Sequence, residues 1–120
     1  MNVFRETLRK IAERVEGARS AAIVGLDGIP VESFSIAQTP SIETVAAEML
    51  ALLKAAQNPR GEAVPGPVRE LALVTDESRI LLSRVSREYY LLLLLGGEGG
   101  LGRGRYELAK AALALEKELT

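Results

Sequence analysis

Six residues invite the first chemical reading. Gly97-Glu98-Gly99-Gly100-Leu101-Gly102 has the spacing G-x-G-x-x-G. In that pattern glycines let a backbone approach a pyrophosphate, and the following helix turns its N-terminal amides to the phosphate charge. The run lies between an apolar strand and a final helix, as this chemistry requires. The rest of the fingerprint is missing: a second strand with an acid about 20 residues on should follow the helix, and the helix here occupies the remaining residues. The expectation is a flexible strand-to-helix connector, with Arg103 and Arg105 in water beside it, where they could also touch an anion.

Other catalytic sets fail for want of parts. The chain has no Cys and no His. That removes thiolate nucleophiles, zinc–sulfur sites, the Ser-His-Asp arrangement and the commonest general base and metal ligand. Asp76 and Glu77 are adjacent carboxylates, but they fall in a turn without apolar surroundings to raise a pKa. Tyr89 and Tyr90 are neighbours on a strand, face opposite sides, and read as sheet fillers. No enzyme activity, cofactor or metal is expected.

The composition narrows the partners. The length of 120 residues fits one domain, 1–120, with a single real core. Net charge is −1, and neither half is biased: residues 1–60 carry seven acids and seven bases, residues 61–120 nine and eight. A nucleic-acid binder usually shows a basic excess. No apolar run is long enough to span a membrane, and the N-terminus lacks a signal-peptide core, so a cytoplasmic protein is expected. Asn2, Asn58, Gln38 and Gln57 are the only amides. With the richness in Arg, Glu, Leu and Ala, their scarcity points towards a thermophile.

The elements that would position any site are organised around Tyr89–Leu95. This run is apolar at successive positions, so both faces are covered, and glycines close it; it reads as a central strand. Before it, residues 2–16 form an amphipathic helix with Phe4, Leu8, Ile11 and Val15 on one stripe, stopped by Gly17. Ser20–Leu26 and Ile29–Ile36 are strands joined at Asp27-Gly28. Phe34 and Ile36 share one face of the second strand, and Pro30 marks it as an edge strand. Thr39 caps a helix with Pro40 at its first position, running from about Ser41 to Gln57. Residues 58–67 form a loop. Val68–Thr75, Arg79–Ser86 and Tyr89–Leu95 make an antiparallel meander, with Ile80 and Leu82 on one face and Leu81 and Val85 on the other. A last helix, Arg105–Leu119, places Leu108, Ala109, Ala112, Leu113 and Leu119 inward. The compact solution is an α+β fold: one five-stranded antiparallel sheet with helices on both faces, in the order helix-strand-strand-helix-strand-strand-strand-helix.

Two features of this plan are unusual. The second helix is apolar almost all round: Ile42, Val45, Met49, Leu52 and Leu53 can meet the sheet, but Thr44, Ala47, Glu48, Ala51 and Ala55 make a barely polar opposite face. A helix of this kind is normally buried on more than one side, which implies a protein interface. The strand Val68–Thr75 lies at a sheet edge, carries Leu71, Leu73 and Val74, and has no internal proline. Such an edge can pair with a copy of itself. One homodimer explains both features.

Ala22-Ile23-Val24-Gly25-Leu26-Asp27-Gly28-Ile29-Pro30-Val31 resembles the first hairpin of the roadblock / dynein light-chain family. The alanine-rich second helix and Gly102-Arg103-Gly104-Arg105-Tyr106-Glu107-Leu108 resemble its bacterial, MglB-like members, and the resemblance spans nearly the whole chain. It implies a roadblock/profilin-like fold and a homodimer through the third strand and second helix, with Val68, Leu71, Leu73 and Thr75 at the junction. It also implies binding of a small Ras-like GTPase on the second helix, at Thr44, Ala47, Glu48, Ala51, Lys54 and Ala55. The role implied is that of a GTPase-activating or scaffold protein rather than an enzyme. Arg60 and Arg69 lie near that helix in sequence, but neither is assigned as an arginine finger. The alternative is an adaptor of the same fold that binds a sensor kinase or a cytoskeletal or motor partner.

Overall fold

The three-to-four spacing of Phe4, Leu8, Ile11 and Val15 builds one apolar stripe along α1 (Val3–Arg14) and its C-cap. The Asn2 side chain accepts hydrogen bonds from the Phe4 and Arg5 amides at the start, and Val15 caps the end. Gly17, at φ +84°, turns the chain into β1 (Ala18–Gly25). The computed structural model describes residues 2–57 and 65–119. The remaining elements are β2 (Pro30–Ser35), α2 (Ile42–Ala56), β3 (Glu70–Val74), β4 (Ser78–Arg84), β5 (Tyr89–Gly96) and α3 (Leu101–Leu119).

The five strands form one antiparallel sheet in the order β2-β1-β5-β4-β3. Strand alternation sends Leu91, Leu93 and Leu95 to one side and Tyr90, Leu92 and Leu94 to the other. The first set packs with Leu8, Ile11 and Val15 of the α1 region and Leu108, Ala111 and Leu115 of α3. The second set packs with Ile42, Val45, Met49, Leu50 and Leu53 of α2. All five leucines of β5 are fully buried. Each contributes about 1.5–3 kcal/mol relative to an exposed side chain, so this strand anchors both layers. Ile80 and Leu82 of β4 join the α2 side, while Leu81 and Val85 join the other, as the sequence predicts.

Several expectations need correction. Ser41, not Thr39, caps α2: its hydroxyl accepts from the Thr44 amide, and Pro40 lies outside the helix. Leu50 occupies the buried place expected for Leu52, which is 45% exposed. Ile36 lies beyond the end of β2 and is exposed, while Phe34 packs on the core. Helix α3 begins at Leu101 rather than near Arg105, so Gly102 and Gly104 are helical. Its buried stripe is Gly104, Glu107, Leu108, Ala111 and Leu115, leaving Ala109 exposed and Leu113 74% exposed. The earlier start has a packing reason: a side chain at Gly104 would come within 3.0 Å of Leu93 and 3.1 Å of Leu81, so the glycine lets the helix close on the sheet. Of the expected loop 58–67, residues 58–64, including Arg60, lie outside the described residues.

Candidate interaction surface

The glycine turn is occupied by its own fold. The Gly99 amide donates to Gly96 O at 2.9 Å, and the Gly100 amide donates to Glu16 O at 3.2 Å. An added Cβ at Gly99 would sit 2.6 Å from Leu95 Cβ, and one at Gly17 would sit 2.7 Å from Gly99 Cα. The glycines therefore serve the close approach of two turns, and those two amides are not available to a phosphate. The arginines beside the turn are paired rather than simply solvated. Arg103 lies 3.0 Å from Glu107, and Arg105 Nε donates to Glu70 at 2.7 Å. Glu107, only 3% exposed, also lies 3.7 Å from Arg14 and so links α3 to α1. Sequence periodicity does not reveal this buried carboxylate, because the glutamate falls inside an apolar stripe.

Helix α2 displays the expected outer face. Thr44, Ala47, Glu48, Ala51, Lys54 and Ala55 are all exposed. The helix packs on β1 and β2, and Gly28, at φ +82° in the β1–β2 turn, fits closely over Ala47 and Leu50. A Cβ there would meet Ala47 and Leu50 at ordinary van der Waals distance, so the penalty for a side chain is the strained backbone. Leu52 lies about 200° round the helix from Leu50, on the flank turned away from that hairpin, and is exposed. At the start of α2, the Glu43 carboxyl is held below its ordinary pKa by its own backbone amide and by the Ser41 hydroxyl. This is the favourable sign for a helix N-terminus.

The β3 edge is the second component. Among the described residues, no strand or helix pairs with its outer side. Its inner side is fixed by the register with β4, Glu70↔Ser83 through Val74↔Arg79. The Arg84 amide donates to Arg69 O, and the Thr75 amide donates to Ser78 O. Antiparallel pairs alternate between bonded and non-bonded. Residues 69, 71, 73 and 75 therefore turn their backbone groups into the sheet, and Glu70, Ala72 and Val74 turn theirs outward. Of the expected junction residues Val68, Leu71, Leu73 and Thr75, Leu71 and Leu73 lie within the strand and turn their backbone groups towards β4. Val68 and Thr75 flank the strand rather than belonging to it. Leu71 packs towards the α2-side core, and Leu73 is 38% exposed on that same side. The Tyr90 hydroxyl donates to Val68 O at 3.1 Å and holds the entrance to β3. Burial raises the pKa of that phenol, and nearby Arg84 opposes the shift. Arg69 is exposed at the same end of the strand.

The architecture is a central β-sheet with one helix on one face and two on the other, and among the described residues the outer side of β3 is unpaired. A model of the Roadblock/LC7 domain matches residues 5–95, and the chain belongs to that family. Among solved structures, MglC from Myxococcus xanthus is similar at 29% identity and a TM-score of 0.71, over 97% of this chain and 98% of that one. A Roadblock/LC7 domain from Streptomyces avermitilis is similar at 21% identity and a TM-score of 0.81, over 95% of each chain. The gliding protein MglB from Thermus thermophilus has 17% identity and a TM-score of 0.82, over 93% of this chain and 84% of that one. The last two likenesses concern the fold alone. No curated protein matches the chain. No helix among the described residues is long and apolar enough to cross a membrane.

Proposed function

We propose that this chain is a homodimeric, non-catalytic regulator of a small Ras-like GTPase, acting in the cytoplasm as a single roadblock domain. The observation that carries the proposal is the outward set of backbone groups at Glu70, Ala72 and Val74, together with an α2 that leaves Ala47, Ala51, Leu52 and Ala55 exposed. A symmetric antiparallel pairing that uses the whole strand sets Ala72 opposite its copy, with Glu70 opposite Val74. Leu71 then faces Leu73 of the other protomer on the α2 side. Continuing the sheet in this way gives partners to the open ladder groups and buries Leu73. It also brings the two α2 helices towards each other.

The GTPase docks, in this proposal, on the outer face formed by Thr44, Ala47, Glu48, Ala51, Lys54 and Ala55. That face carries no arginine. Stimulation of GTP hydrolysis would therefore come from ordering the GTPase's own switch segments rather than from an inserted guanidinium. The test mixes purified protein with the Ras-like GTPase encoded nearest to it and measures complex formation and the single-turnover hydrolysis rate. A stable complex with an accelerated rate is expected. A complex with an unchanged rate would favour the scaffold reading and overturn the activating one; absence of any complex would overturn both.

A further inference from the structure

We infer that the start of α1 is a side-chain lock on the β2 edge, which prevents a second copy of this chain from pairing there. The two edges of the sheet are treated differently. In β2 the Ile36 amide donates to Arg19 O, and the register runs Ser20↔Ser35, Ala21↔Phe34, Ala22↔Ser33 and Ile23↔Glu32. By the same alternation, Glu32 and Phe34 bond inward, and Ser33 and Ser35 turn their backbone groups outward. Ser33, in the middle of the edge, is already satisfied. Arg5 Nη1 donates to Ser33 O at 3.2 Å, and the Ser33 amide donates to Glu32 Oε1 at 3.2 Å.

The two locking side chains are themselves held. The Arg5 guanidinium lies 3.6 Å from Glu32 and 5.6 Å over the Phe34 ring. Glu32 also accepts from the Asn2 side-chain amide, and Asn2 caps α1 through the Phe4 and Arg5 amides. An incoming strand would have to displace both an acceptor and a donor at its central position. Without the lock this edge would be adhesive: Ser33 and Ser35 are small, and Val31 and Ile36 beside them are more than half exposed. Edges of this kind template further pairing unless something blocks them. On β3 the described side chains make no equivalent contact to the outward groups of Ala72. One edge is thus closed and the other open, so assembly through β3 stops at two copies. That number rests on the β3 reading; the lock itself does not.

The test opens β2 with β3 disabled. Ala72→Pro should leave a folded monomer of the 12.9 kDa chain mass by light scattering. Adding Arg5→Ala and Glu32→Ala should shift the mass to about twice that value at high micromolar concentration. Adding Ser33→Pro as well, which removes an outward amide and no inward ladder bond, should return it to the monomer. A triple variant that keeps a native circular dichroism spectrum and stays monomeric overturns the inference, as does doubling that persists with Ser33→Pro. If the triple variant does not fold, Arg5→Met with Glu32→Val in the Ala72→Pro background frees the same two Ser33 groups while keeping side-chain bulk and strand preference, and a folded monomer there is equally fatal. If dilution shows the Ala72→Pro dimer to be no weaker than that of the parent, the β3 reading fails. The lock is then tested in the otherwise natural chain, where the Arg5 and Glu32 substitutions must still raise the mass above that of the dimer.

Discussion

Ala72 and Leu73 are neighbours with opposite backbone roles, and a proline at each should separate assembly from folding. At Ala72 the lost amide is an outward one. In the symmetric dimer it would donate across the dyad, so two bonds disappear, each worth about 0.5–1.5 kcal/mol net. A total of about 2 kcal/mol weakens the dimer roughly 30-fold, before any steric effect of the rings. The isolated fold keeps all its ladder bonds. At Leu73 the lost amide faces Ile80 within the sheet. Breaking that bond and leaving a carbonyl unsatisfied costs about 1–3 kcal/mol, or roughly 5–20 °C in Tm for a domain of this size. Light scattering across a dilution series reads the first effect. Thermal melts at concentrations where the parent is monomeric read the second. Ala72→Pro should weaken the dimer about 30-fold with little change in Tm, and Leu73→Pro should lower Tm. The reverse pattern would show that the alternation along β3 has been assigned the wrong way round.

Other substitutions test other parts of the account. Gly99→Val places atoms where a Cβ alone would be 2.6 Å from Leu95; overpacking of about 1–3 kcal/mol should lower Tm, while isothermal titration with NAD or ATP shows no binding before or after. Ala51→Arg on the exposed face of α2 should change stability by less than about 0.5 kcal/mol yet abolish pull-down of the GTPase; retained binding would move the docking face elsewhere. Burial raises the Tyr90 pKa above the ordinary 10.0, so the folded chain holds that proton more tightly than the unfolded chain. The associated stability is full below pH 10 and declines as pH rises through the folded value. Tyr90→Phe should abolish this alkaline decline in denaturant titrations, at a neutral-pH cost of about 1 kcal/mol for the lost bond to Val68. A parent whose stability is flat above pH 10 would contradict it.

The layers were legible because β5 is apolar at every position. Nothing but burial on both faces accounts for Tyr89–Leu95, and that fixes a helix layer on each side. Pro30 likewise identified the β2 edge. The errors arise where composition is ambiguous within a correct element. In α2, Leu50 and Leu52 are chemically equivalent, and only the docking of the β1–β2 turn over Ala47 and Leu50 decides which is buried. In α3, glycines disguised the first turn, because Gly102 and Gly104 read as a loop until the sheet surface that needs Gly104 is known. Glu107 was hidden for the opposite reason: a carboxylate can occupy a core stripe when arginines from two helices reach it. The Val68–Thr75 segment was recognised as an edge, but which residues face outward depends on pairing with β4, which a one-residue shift reverses.

The central claim is a sheet continued through β3 with Ala72 on the dyad. The chain has no native cysteine, so a single Ala72→Cys is an unambiguous reporter. Bonded antiparallel partners lie about 5.5 Å apart at Cα, within disulfide reach. In the same dimer a cysteine at Val74 would sit four residues, about 13 Å, from its copy. Mild oxidation should therefore convert Ala72→Cys to a covalent dimer while Val74→Cys stays single-chain on a non-reducing gel. Absence of cross-linking at Ala72, or equal cross-linking at both positions, would contradict the account.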